Sequence, residues 1–104
     1  MVSVNKDNFQ QEVIESPLPV MVDFFGQWCP PCKVLGPIIE ELDKEFQGKI
    51  KITKLNIDEN LELAQKYGVM SVPTLIFFKN GKKVNCVIGL VSKEEIKKEI
   101  EKVL

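Results

Sequence analysis

From Val20 to Phe25 the chain reads Val-Met-Val-Asp-Phe-Phe, apolar at every position but Asp23. Such a strand is consistent with a central place in a sheet covered on both faces. Across Pro31 to Phe46, apolar Val34, Leu35, Ile38, Ile39, Leu42 and Phe46 make one helical stripe, and Gln47-Gly48 supplies the stop. Val2-Ser3-Val4 reads as a short edge strand. Phe9, Val13 and Ile14 recur at helical spacing over Asn5 to Glu15, and Ser16-Pro17 ends that element. Ile50 to Ile57 alternates as a strand, and Asn60 to Tyr67 is a short helix closed by Gly68. Thr74 to Phe78 and Val84 to Ile88 are strands joined through Asn80-Gly81, a strong hairpin signal. Ser92 and Glu95 form a capping box, and Ile96, Ile100 and Val103 give the last helix its inward face. The order β-α-β-α-β-α-β-β-α predicts an α/β fold with helices on both faces of a mixed sheet.

A chain of 104 residues, 44% of them hydrophobic, suits one domain, residues 1–104, with a core that needs no metal or disulfide staples. Its 14 basic and 15 acidic side chains leave no field that would attract nucleic acid, and the Lys93–Lys102 end alternates with Glu as a solvated helix face. The longest nearly apolar run, Leu18 to Phe25, is too short to span a bilayer, so no membrane role is expected. The opening residues have no apolar stretch behind a basic one, so they do not read as a secretory signal. Three cysteines are too few for a disulfide-dense secreted scaffold, and a cytoplasmic location is the expectation. With no histidine in the chain, Cys–His catalysis is removed along with most zinc sites, and no metal is expected.

The chemistry lies at Trp28-Cys29-Pro30-Pro31-Cys32. Two cysteines three apart, the first just before a helix, are placed for a reversible disulfide, because Cα atoms so spaced in a first turn lie about 5 Å apart. The Cys29 sulfur faces unsatisfied N–H groups and the positive end of the helix dipole, which favour the attacking thiolate. Cys32, one turn in, is then the resolving thiol. Pro31 suits a first helical turn, and Pro30 has no N–H for the Cys29 sulfur, so the nearest donors are Cys32 N–H and beyond. Fewer donors make a less stabilised thiolate and a disulfide that is harder to reduce, while the stiffness of the loop opposes this.

The stretches VDFFGQWCPPCK, KLNIDEN and VMSVPTLIFFKNGK, followed by Gly89, resemble the thioredoxin family in order and spacing over essentially the whole chain. That family's Cys-x-x-Cys is itself the reference case for a lowered thiol pKa. The resemblance implies the thioredoxin fold, a five-stranded mixed sheet flanked by four helices. It also implies reduction of protein disulfides by dithiol exchange, with no cofactor beyond the Cys29–Cys32 disulfide. Disulfide-containing proteins would be the substrates, and a separate reductase would recharge a chain expected to be monomeric. Three departures stand out: Pro30-Pro31 in place of Gly-Pro, Phe25-Gly26 in place of Trp-Ala, and Gly36 where Ala is common. They bear on the redox potential and the preferred reductase.

Asp23, read from the residues alone, is either an ion-paired strand carboxylate or a buried acid whose raised pKa lets it exchange a proton with Cys32. The resemblance favours the second and places Lys54 beside it; read alone, Lys54 is a strand lysine reaching to water. The resemblance also makes Pro73 a cis proline facing the cysteines, with Trp28, Val72, Pro73 and Gly89 lining a shallow apolar contact surface for substrate. Pro37 reads as a structural kink in the second helix. Cys86, alternating with Val84 and Ile88, reads as a core residue. Two other functions remain compatible with the sequence: an oxidase or isomerase using the same pair, and a protein-binding module in which redox is incidental.

Overall fold

A computed structural model describes residues 1–104. Five strands form one sheet: β1 (Val2–Ser3), β2 (Val20–Phe25), β3 (Lys51–Asn56), β4 (Thr74–Lys79) and β5 (Lys82–Ile88), in the order β1-β3-β2-β4-β5. The pairs β1–β3 and β2–β3 are parallel, while β2–β4 and β4–β5 are antiparallel, so the sheet is mixed. Helices α1 (Pro30–Glu45), α2 (Leu61–Lys66) and α3 (Lys93–Val103) and a π-helical turn, Gln10–Ile14, flank it. This is the thioredoxin fold.

Strand alternation divides the core in two. Met21, Ile52, Leu75 and Phe77 meet Leu35, Ile39 and Leu42 of α1 and Ile96 and Ile100 of α3. Val20, Val22, Phe24, Leu55, Ile76 and Phe78 face the other way, against Phe9 and Val13. Each face strips apolar area from water at roughly 25 cal/mol per Å², so β2, covered on both, is the anchor of the fold. Asp23 lies on the α1 face of that strand.

Two local expectations are corrected and a third is refined. The helix over Asn5–Glu15 forms, with Asn5 capping its first turn and the π-helical turn Gln10–Ile14 as its regular part. Asn5 Oδ1 accepts from the Asp7 and Asn8 amides at 2.8 and 3.2 Å, and Glu15 N–H reaches back five residues to Gln10 O. The second helix begins at Pro30, one residue earlier than expected, which fixes the capping geometry described below. Cys86 is exposed, not core. It pairs with Ile76 and shares its face, but the core on that side ends at β4 and takes in nothing from the edge strand β5. The hairpin follows its sequence signal: Asn80 and Gly81 both have positive φ, and a Cβ on Gly81 would lie 2.9 Å from Ile14 O.

Candidate active site

Cys29 ends the loop after β2 and is the N-cap of α1. Pro30 and Pro31 follow as the first two helical residues, where a missing N–H breaks no intrahelical bond. Cys32 is the third, and its amide donates to Cys29 Sγ at 3.2 Å. An N-cap side chain takes its bonds from the second or third helical amide, and the second here is Pro31. One backbone donor therefore serves the sulfur. The two cysteines are joined as a disulfide, with Cα atoms 5.2 Å apart. Both are well covered, at 2% and 9% exposure for Cys29 and Cys32.

The loop before β4 closes over the pair. The Val72–Pro73 peptide bond is cis, and the Val72 carbonyl oxygen lies 3.6 Å from Cys29 Sγ. In the dithiol that oxygen can accept from the Cys29 thiol; beside a thiolate it presents its negative end. Gly89 N–H donates to Pro73 O at 2.8 Å, which brings the residue after β5 against the same loop. Thr74 Oγ1 donates to Ser71 O at 2.7 Å and fixes the entry into β4. Cys29, Val72, Pro73 and Gly89 are thus gathered at one end of the sheet. Trp28 is 65% exposed, and its indole Nε1–H donates to Asp58 Oδ2 at 2.9 Å. Simple core packing does not describe it.

Asp23 lies behind the disulfide, on the α1 side of the sheet. Its backbone register sets it opposite Lys54 on β3 and Leu75 on β4. The residue is 7% exposed, and Oδ1 is buried without a hydrogen-bond partner. Burial disfavours the carboxylate and pushes its pKa from 3.8 up to about 7, while the Lys54 ammonium pulls the other way. Asp23, Cys32 and Lys54 all line one cleft of about 160 Å³, shared with Gly36, Glu40 and Met1. Acid and resolving cysteine therefore open onto one common cleft.

Sequence reasoning gave no place in the site to three participants. Asp58 holds the indole, and nothing in its spacing signals that. Gly26 gives the indole room, since a Cβ there would lie 3.1 Å from Trp28 Cε2. Gly36 lines the Asp23 cleft, and its place four residues after Cys32, on the same helix face, was a legible signal. No group of three or more Cys, Asp or Glu side chains is arranged to hold a metal ion. No helix is long and apolar enough to cross a membrane.

The family model described as Thioredoxin matches residues 1–102. Thioredoxin 1 of Nostoc sp. is 45% identical over 99 residues, covering 95% of this chain and 92% of that protein. Thioredoxin of Rickettsia conorii is 50% identical over 94 residues, 90% of each chain. The chloroplastic M-type thioredoxin of Pisum sativum is 50% identical over 99 residues, 95% of this chain and 58% of that protein.

Proposed function

The chain belongs to the thioredoxin family, thiol–disulfide oxidoreductases that act by dithiol exchange, and on that premise we propose a residue-level route by which it reduces protein disulfides. The Cys29 thiolate attacks a substrate disulfide, forming a Cys29–substrate bond and expelling one substrate thiolate. Cys32 then gives its proton to Asp23, through water in the shared cleft, and attacks Cys29 Sγ. The Cys29–Cys32 bond forms, the second substrate sulfur leaves with the electron pair, and it takes a proton from solvent. Two electrons pass from the dithiol to the substrate. No cofactor is needed beyond this pair, and a separate thioredoxin reductase restores it.

The observation that carries this reading is the disulfide at the N-terminus of α1, with the Val72 carbonyl 3.6 Å from Cys29 Sγ. Trp28, Val72, Pro73 and Gly89 form the surface on which an extended substrate lies, with the Val72 backbone free to pair with it. Lys54 restrains the rise in the Asp23 pKa, so that the carboxylate is available near neutral pH. Pro31, at the second helical position, removes a donor that would reach Cys29 and holds the potential low, with Pro30 contributing less. We further propose a single-domain monomer that works in the cytoplasm.

The test is turnover of a disulfide-bonded protein, insulin with dithiothreitol as donor, by the wild type, Cys29→Ser and Cys32→Ser. The wild type should accelerate reduction. Cys29→Ser should lose the effect, and Cys32→Ser should stall as a trapped mixed disulfide. Full activity in the doubly substituted chain would exclude dithiol exchange.

A further inference from the structure

Helix α1 presents Cys32, Gly36 and Glu40 at intervals of four residues, one above the other along a single face. Together they form one wall of the cleft whose other wall carries Asp23 and Lys54. Gly36 is anomalous on this wall. It sits inside a helix, where glycine is among the weakest formers, yet a Cβ there would meet nothing within 4 Å. Neither close packing nor a positive φ calls for glycine. What its missing side chain does leave is space, in a cleft of about 160 Å³ with room for water.

We propose that Gly36 is a positioning residue that keeps a hydrated groove open between Asp23 and solvent, and that this groove carries the proton of the resolving step. The inference rests on the reading of Asp23 as acceptor for the Cys32 proton. In that step Cys32 loses a proton to Asp23 through water, and the new thiolate displaces the substrate sulfur from Cys29. Before the next cycle Asp23 returns the proton to bulk water along the groove. Asp23 keeps 7% of its surface exposed and lines the cleft, so water there is what its carboxyl can exchange a proton with, while Oδ1 itself is buried without a protein partner. The charged groups that line the cleft with Asp23 and Cys32 are Lys54 from β3 and Glu40 from α1; the chain's amino group pairs instead with Asp43 at 3.9 Å.

The experiment mixes reduced protein with excess oxidised substrate in a stopped-flow instrument, for the wild type, Gly36→Ala and Gly36→Leu, from pH 5 to 9. Attack by Cys29 is followed separately, as the rate of alkylation by iodoacetamide. Ala and Leu are both better helix formers than Gly, so both variants should melt at or above the wild-type temperature. The decay of the mixed disulfide should nonetheless slow by about twofold with Ala and by roughly tenfold with Leu, a part of what a positioned base contributes. In Gly36→Leu the pH profile of that decay should also move upward, because a drier carboxyl ionises later. Alkylation of Cys29 should stay within about a factor of two, since the helix dipole and the Cys32 amide that set its reactivity are untouched. Decay and pH profile unchanged in both folded variants would overturn the role of Gly36 and leave that of Asp23 standing. If Asp23→Asn resolved as fast as the wild type, the acceptor reading would fall, and the inference with it.

Discussion

Asp23 and Lys54 are register partners on β2 and β3, the carboxyl buried and the ammonium exposed. Because burial raises the folded pKa to about 7, the folded chain keeps a proton that the unfolded chain has already lost between about pH 4 and pH 7. Stability therefore falls as pH rises through that window and stays at the lower level above it. Asp23→Asn should melt with the wild type near pH 4 and well above it at pH 8, by up to about 4 kcal/mol as an order of magnitude. Lys54→Gln should move the wild-type curve the other way at pH 8, and less so at high salt. Thermal melts at the two pH values check this; a wild type equally stable at both would contradict it.

Position 31, not position 30, controls the missing donor. Cys29 is the N-cap, and the second helical amide, the one Pro31 removes, is aimed at an N-cap side chain. Pro31→Ala should restore a bond to the thiolate, favour it over the thiol, and make the disulfide easier to reduce. Pro30→Gly should do less, since the first helical amide does not serve the cap. Thiolate absorbance against pH measures both; a larger shift from position 30 would contradict the capping account.

Trp28 is held by a bond to Asp58 on one side and lies close over Gly26 on the other. A methyl at position 26 would stand 3.1 Å from the ring, so Gly26→Ala should displace the indole by a few tenths of an ångström and stretch the bond to Asp58. Asp58→Ala should free the indole outright. Both variants should change the tryptophan emission and raise KM for a protein disulfide by about twofold to fivefold, with little effect on Tm. Unchanged emission in both would contradict the geometry.

Exposed Cys86 is the one thiol left free when Cys29 and Cys32 are joined. The native oxidised protein should react with one equivalent of a thiol reagent without denaturant, and the reduced, denatured protein with three. Cys86→Ser should change stability by less than about 0.5 kcal/mol, as a surface substitution does. A loss above about 1 kcal/mol would return Cys86 to the core.

Much of this was legible because the signals are local. Val20–Phe25 has one charge among five apolar residues, Asn80-Gly81 demands positive φ, and Cys29-x-x-Cys32 precedes a helical stripe. Cys86 was misread because alternation reveals two faces of a strand but not which of them the rest of the chain covers. At an edge, one face has no helix to cover it. The π-helical form of the Asn5–Glu15 segment was not legible, because spacing shows a helical face but not whether an amide reaches back four residues or five. Asp58 became visible only when distant segments met at Trp28.

The most direct test is the reduction potential of the Cys29–Cys32 pair, equilibrated in dithiothreitol buffers and read by counting thiols. The account predicts a single two-electron transition at or below about −270 mV, the benchmark set by thioredoxin itself, because one backbone donor supports the Cys29 thiolate. A transition near about −180 mV, where disulfide isomerases work, would contradict it. So would the absence of any internal disulfide under oxidising conditions.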